Sequence, residues 1–251
     1  MASELEMCLD SWRKYCPDYT IKCWTVDNSP MGISWVRDAY KHQKYAFVAD
    51  YVRFYALYHE GGIYMDTDML LVRPLDSFLR DKAFLGRESA AYASMGIIGT
   101  EKGSEFAKNV LDTYDAAKFD MVNPMSVPRV VTPLLTKHGL SSEDKTQHLS
   151  NGLVAYQSDY FYPIRYKQEF ALEEVRQYAT PNTYGIHLWN RSWSDEIDIL
   201  QRGNIIQGLG LVWKRWKRTP FLPLGYWGKV IRALMSSTWI GSVYRKNKKK
   251  E

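Results

Sequence analysis

Apolar and polar positions repeat with two different periods along this chain, and each change of period marks an element. Between Tyr45 and His59 the period is helical: Val48, Val52, Tyr55 and His59 fall at i, i+4, i+7 and i+11, one stripe of a helix. Asp50, Arg53 and Leu57 form a second stripe at i, i+3 and i+7. Gly61-Gly62 supplies the left-handed residue that commonly closes a helix, and Ile63-Tyr64-Met65 then reads as a short buried strand. The same reading predicts helices over 3–15, 33–43, 45–59 and 103–118, and strands over 19–26, 63–65, 69–72, 83–86, 95–99, 153–156 and 184–188. Pro124, Pro128 and Pro133 punctuate the start of one more helix. Strands alternating with helices imply a mostly parallel sheet with helices on both faces. No internal repeat appears.

Two carboxylates, Asp66 and Asp68, follow the strand 63–65 directly. A strand alternates its faces, so the two acids are expected to point the same way, with Thr67 opposite. Convergent carboxylates at a strand's carboxyl end, where open α/β sheets bind their ligands, make a hard-oxygen site for Mg²⁺ or Mn²⁺. A bare Asp-x-Asp is more often a solvated turn. Here an apolar strand precedes it, and a helix carrying Asp50 and Arg53 leads into that strand.

The ordered set Asp50-x-x-Arg53, Tyr64, Asp66-x-Asp68 resembles the donor-sugar site of Asp-x-Asp glycosyltransferases of family 32. That family includes capsular-polysaccharide sugar transferases and yeast mannosyltransferase relatives, and the glucosylating domains of large clostridial toxins share the pattern. Ser11-Trp12-Arg13-Lys14-Tyr15-Cys16-Pro17-Asp18-Tyr19 is similar to the family's early helix-to-strand corner. Gly96-Ile97-Ile98-Gly99 with Lys102-Gly103 is similar to its middle strand and turn. Tyr160-Phe161-Tyr162-Pro163 and Ile186-His187-Leu188-Trp189-Asn190-Arg191-Ser192-Trp193 are similar to its closing motifs. The resemblance runs over roughly residues 5 to 195. It implies a GT-A-type nucleotide-diphosphosugar transferase fold with a Rossmann-like sheet. Family members normally begin with an apolar strand that contacts the nucleotide base; this chain opens on the helix after it, which implies either a start further upstream or a truncated copy.

Under that resemblance, roles follow from chemistry. The leaving group of a sugar nucleotide is a diphosphate, and a divalent ion held by Asp68, with Asp66 nearby, would neutralise its developing charge. Arg53 would pair with phosphate or sugar oxygens and Asp50 would accept from sugar hydroxyls; the plain alternative for this pair is a helical i, i+3 salt bridge. Tyr64 would order the strand end beside the donor. The closing motif implies His187 as a nitrogen ligand to the metal, Asn190 and Ser192 as oxygen donors to metal or phosphate, and Trp193 as a cover over the donor. Tyr160 and Tyr162 read as core aromatics or acceptor-side contacts.

Composition adds a division rather than a class. At 251 residues, 45% hydrophobic and 24% charged, the chain can bury one sizeable core. Cys8, Cys16 and Cys23 lack metal-type spacing, and an odd number argues for reduced cytosolic thiols. No run of 18 apolar residues exists to span a membrane. The net charge of +5 conceals a tail, 199–251, with 12 Lys/Arg against one acid, on a body, 1–198, with 21 basic and 27 acidic groups. Trp213, Trp216, Trp227 and Trp239 interleave with the tail's cations, and Tyr226 to Tyr244 can be written as an amphipathic helix. Tryptophan and Lys/Arg around an apolar face suit an anionic bilayer surface; four tryptophans and the lack of any nucleic-acid motif set this above a solvated tail or a nucleic-acid patch.

The expectation is a metal-dependent, retaining glycosyltransferase with a catalytic domain over 1–198. It would move a sugar, from a UDP-sugar, onto a surface polysaccharide or lipid-linked glycan at the cytoplasmic face of the plasma membrane. The alternatives are a toxin-like protein glycosyltransferase and a non-catalytic, membrane-binding remnant.

Overall fold

The computed structural model describes residues 2–90, 93–166, 168–190, 196–219 and 221–237. The chain divides into two units, Met1–Asn190 and Arg191–Glu251. The first begins with three helices, α1 (Ala2–Tyr15), α2 (Ser34–Lys41) and α3 (Tyr45–Glu60). Gly61 and Gly62, both at positive φ, then turn the chain into β1 (Gly62–Met65). There follow β2 (Met69–Leu71), β3 (Ala83–Arg87), β4 (Ala93–Thr100), α4 (Glu105–Asp115), α5 (Val127–Lys137), β5 (Gln147–His148), β6 (Leu153–Tyr156) and β7 (Gly185–His187).

Five strands form one sheet in the order β1-β4-β3-β6-β5, and β2 pairs with β7 in a separate ribbon. Only β3 and β6 run parallel; the other pairings are antiparallel. The expected mostly parallel sheet is therefore corrected to a mixed one. The helix–strand alternation that suggests parallel crossovers breaks down at Gly62–Thr100, where four strands follow one another without an intervening α-helix. Within that stretch β4 pairs antiparallel with both β3 and β1, as strands joined without a crossover helix can.

The two faces of the sheet are covered differently. Leu85, Met95 and Ile98 face Trp35, Phe54, Phe106, Val110, Tyr114 and Val131 from α2, α3, α4 and α5. Phe84 and Ile97, their neighbours in sequence, point the other way, into Met69, Leu71, Phe78, Phe161 and Tyr162, with Cys16 and Trp12 beside them. The period-2 alternation of the strands is what sorts them. On this second face α1 satisfies the free edge of β2: Trp12 Nε1 donates to Met69 O at 2.6 Å, and Ser11 Oγ accepts from Leu71 N–H at 2.9 Å.

The expected strand over 19–26 does not form. Tyr19 to Val26 lies in a loop and turn, with Ile21 and Val26 exposed. Its alternating pattern suits a strand, but no described strand lies beside it, and a lone strand leaves its ladder groups unpaired. Trp24 instead packs edge-on against Tyr55, and Lys22 pairs with Glu60.

The second unit contains α6 (Glu196–Gln201), α7 (Ile205–Arg218) and α8 (Leu224–Ser237). Leu200, Val212, Tyr226, Val230 and Ala233 are buried in it. Glu196 is buried too, accepting from Tyr226 Oη at 2.9 Å and Arg215 Nη2 at 3.1 Å. The charge boundary at 198/199 falls inside α6. Residues 238–244 of the expected tail helix lie outside the described residues.

Candidate active site

The buried stripe of α3 is the charged one. Asp50, Arg53 and Leu57 are all buried, whereas in the other stripe only Val52 is, Val48 and Tyr55 are partly so and His59 is exposed. Arg53 spends its donors inside the protein: Nη1 on Met95 O at 2.6 Å, Nη2 on Asp50 Oδ1 at 3.0 Å, Nε on Ala49 O at 3.2 Å. Asp50 Oδ2 accepts from Val127 N–H at 3.1 Å, at the first turn of α5. The plain surface salt bridge is thus replaced by a buried Asp50–Arg53 pair with every oxygen engaged. Losing one partner of such a pair is costly, because it leaves the other buried and uncompensated.

This pair stands behind the Asp-x-Asp motif. Arg53 Nη1 lies 3.5 Å from Asp66 Oδ1, the guanidinium sits 4.6 Å from the centre of the Tyr64 ring, and Tyr64 Oη donates to Asp66 Oδ1 at 2.7 Å. Burial pushes the Asp66 carboxyl up, but the Arg53 charge, with His187 and Tyr64, outweighs it and holds the group at about 2. Burial raises Asp50 to about 6 against the lowering pull of Arg53 and the Val127 N–H. Arg53, His187 and Tyr64 hold Asp66 ionised, and Asp50 holds Arg53 in place.

Asp66 and Asp68 do converge, but by a turn rather than by strand alternation. The strand ends at Met65; Asp66 N–H donates to Gly96 O at 2.7 Å and Met69 N–H to Asp66 O at 3.0 Å. The third member arrives through the ribbon. Register pairs Met69 with His187, which sets the imidazole beside the residue preceding Met69. His187 Nε2 lies 3.3 Å from Asp68 Oδ1 and 3.5 Å from Asp66 Oδ2. Ligand atoms of all three lie within 4.8 Å of one another.

Backbone geometry finishes the site. Trp189 has φ +54, the left-handed region that costs a non-glycine residue roughly 1 kcal/mol. In that bend Trp189 N–H donates to His187 Nδ1 at 3.3 Å and Asn190 N–H to Asp68 Oδ2 at 2.8 Å. Nδ1 is thereby engaged, and Nε2 is the ring nitrogen that faces the carboxylates. Gly96 floors the site: a Cβ there would meet His187 Cδ2 and Tyr162 Oη at 2.9 Å and Asp66 Oδ2 at 3.1 Å. Two carboxylates and one imidazole, over a floor with no side chain, could hold a divalent cation. Asn190 Nδ2 is buried without a partner, a donor still seeking an oxygen.

Of the sequence-derived site residues, Asp50, Arg53, Tyr64, Asp66, Asp68, His187 and Asn190 come together. Ser192 and Trp193 lie outside the described residues. Tyr162 is a buried aromatic, as one of its two readings has it, and its Oη accepts from Ile97 N–H at 3.2 Å. The sequence reading missed Gly96 as the floor and Glu88, just past β3. Burial raises the Glu88 carboxyl while His187 lowers it, so this acid belongs to the same electrostatic neighbourhood. A glycine facing the Asp-x-Asp strand is the signal that was there to use: β4 pairs with β1, with Met65 opposite Ile97.

Residues 3–85 match the family model described as the glycosyltransferase sugar-binding region containing the DXD motif, and 99–208 match the alpha 1,4-glycosyltransferase conserved region. Both matching models describe glycosyltransferase regions. The first match holds Asp50, Arg53, Asp66 and Asp68; the second holds His187 and Asn190. The chain is 34% identical over 100 residues to a mannosyl phosphorylinositol ceramide synthase of Saccharomyces cerevisiae, covering 38% of this chain and 27% of that one. It is 25% identical over 165 residues to the human alpha-1,4-N-acetylglucosaminyltransferase, covering 63% and 46%. It is also 25% identical over 150 residues to the mouse lactosylceramide 4-alpha-galactosyltransferase, covering 57% and 41%. The chain spans less than half the length of these relatives. No solved structure matches it.

Proposed function

We propose that this chain transfers a sugar from a nucleotide-diphosphosugar, a UDP-sugar, to a lipid-linked glycan or growing surface polysaccharide, with retention of anomeric configuration. The observation that carries the reading is the convergence of Asp66, Asp68 and His187, from segments more than a hundred residues apart, over the bare floor of Gly96. Two of the relatives are named for ceramide substrates, which supports a lipid-borne acceptor. In this reading the protein works peripherally on the cytoplasmic face of the plasma membrane, with its basic C-terminal region on anionic lipid.

Asp66, Asp68 and His187 would hold Mn²⁺ or Mg²⁺, which when bound neutralises charge developing on the diphosphate. The chain's own residues prepare that event. Arg53 and Tyr64 occupy Asp66 Oδ1 and so leave Oδ2 as the atom turned toward His187. The Asn190 backbone fixes Asp68 Oδ2, and Asn190 Nδ2 offers a hydrogen bond to a phosphate or sugar oxygen. No side chain here is assigned as a covalent nucleophile; attack on the donor's departing face, with diphosphate oxygen taking the acceptor proton, is the route favoured by analogy.

The test is divalent-ion-dependent hydrolysis of a panel of UDP- and GDP-sugars by the chain and by Asp68→Ala. Turnover that falls at least about 100-fold in the variant is expected, since this removes a group that stabilises the transition state. Absence of both turnover and nucleotide binding would sink the transferase reading.

A further inference from the structure

The second unit leaves two apolar stripes uncovered. On α7, Ile206, Leu209, Trp213 and Trp216 recur at i, i+3, i+7 and i+10, and all four are exposed, Ile206 at 90%. Gly208 and Val212, on the flank next to Trp216, are the buried positions of that helix. On α8, Leu224 and Ile231 stand one stripe apart at i and i+7, 90% and 55% exposed, while Tyr226, Val230 and Ala233 turn inward. Between the helices Phe221 is 94% exposed. Exposed aliphatic and aromatic side chains grouped along each helix in this way mark an interaction surface.

Charge names the partner. On the helical wheel Lys217 lies beside the α7 stripe with Lys214 further round on the same flank, and Arg232 lies beside the α8 stripe. Lys217 Nζ sits 5.3 Å from the Trp213 ring, which itself packs 4.9 Å from Trp216. From Glu196 to Ser237 there are seven Lys/Arg against two acids, and one of those acids, Glu196, is buried on Arg215 and Tyr226. A phosphate-tracking groove for a polynucleotide puts its cations at the centre of the contact. Here the centre is aliphatic and aromatic, and the cations form the border.

We propose that α7, α8 and their link dock on an anionic lipid bilayer. The Ile206–Trp216 stripe, Phe221, Leu224 and Ile231 enter the headgroup–acyl boundary, and Lys214, Lys217 and Arg232 meet lipid phosphates. This deepens the peripheral-membrane reading above, which it rests on, by naming the surface and the lipid class. It also moves the contact. The sequence pattern points to 226–244, whereas among the described residues of this unit the most exposed apolar side chains, Ile206, Phe221 and Leu224, lie before it. No helix of the described residues is long and apolar enough to cross a membrane, so the contact is one of lying on the surface.

The experiment uses the full chain with sedimented vesicles of phosphatidylcholine alone, or with about one-third phosphatidylglycerol. Two surface variants are compared with it: Trp213→Ser/Trp216→Ser/Phe221→Ser, and Lys214→Glu/Lys217→Glu. Donor-sugar hydrolysis and circular dichroism are measured on every sample. The expected result is binding to the anionic vesicles only, reduced roughly tenfold or more in each variant, with hydrolysis unchanged. Equal vesicle binding by parent and variants, or equal binding to neutral vesicles, overturns the proposal. So does a concentration-dependent dimer that the triple variant abolishes while vesicle binding stays, since the stripes would then join copies of the chain. Hydrolysis without vesicle binding removes the docking surface and spares the transferase; vesicle binding without hydrolysis does the reverse.

Discussion

Asp50 illustrates how one buried group is governed by what surrounds it. Its carboxyl is paired with Arg53 and accepts the Val127 N–H, yet burial keeps it up at about 6. An unfolded aspartate titrates near 4, so the folded chain binds a proton that the unfolded chain releases between these values. The contribution to stability is therefore fully present below about pH 4 and is lost as the pH rises through about 6. Asp66 has the opposite sign: held at about 2, its contribution is present above about pH 4 and lost only as the pH falls through 2. The two windows do not overlap. Asp50→Asn should therefore flatten the change in stability between about pH 4 and pH 7, by roughly 2–3 kcal/mol relative to the parent. Urea midpoints at the two pH values check this; parallel shifts in parent and variant would show that Asp50 does not titrate there.

At the scale of elements, the ribbon of β2 and β7 is what carries His187 to the acids. Leu70 and Leu135 are both fully buried, one in β2 and one in α5 on the helical face of the main sheet. Truncating either to alanine should cost about 2–5 kcal/mol. Only Leu70→Ala loosens the strand whose register sets His187 beside Asp68, so it should also weaken Mn²⁺ binding by about tenfold. Leu135→Ala should leave that affinity near the parent value. Isothermal titration with Mn²⁺ separates the two, and equal losses of affinity would mean that the ribbon does not position the site. Much of this level was legible beforehand. The helical period of 45–59 and the short apolar runs at 63–65, 83–86 and 153–156 are local signals, and they appear as α3, β1, β3 and β6. The strand over 19–26 was misread because a strand exists only with a neighbour to pair with, and alternation says nothing of neighbours.

For the whole molecule, a cation that binds only the folded chain must shift global stability. Mn²⁺ at about 100 times its dissociation constant adds roughly 2.7 kcal/mol, or about 5–10 °C in the melting temperature of a chain this size. The gain should appear in a thermal scan with Mn²⁺, vanish with a chelator, and be largely absent in Asp68→Ala. An unchanged Tm across a Mn²⁺ titration would count against any metal centre at Asp66, Asp68 and His187. The uneven charge of the chain belongs to this scale too: an acidic body and a basic tail are visible by counting, but which tail residues face outward is not.

Local pattern determined the helices of the first unit, the glycine turn into β1, the pair of acids after it and the basic, tryptophan-bearing tail, because each rests on residues within one or two turns of chain. Only the tertiary structure decided the rest. It put Asp50 and Arg53 under the site instead of on the surface, because α3 turns that stripe toward β4 and the Met95 carbonyl. It made the sheet mixed, because the pairing of strands depends on partners far apart in sequence. It set His187 against Asp68 through a ribbon register that spans more than a hundred residues. Such pairings are fixed by long-range contacts whose entropy cost only the assembled core can offset, and no window of sequence contains both sides of them.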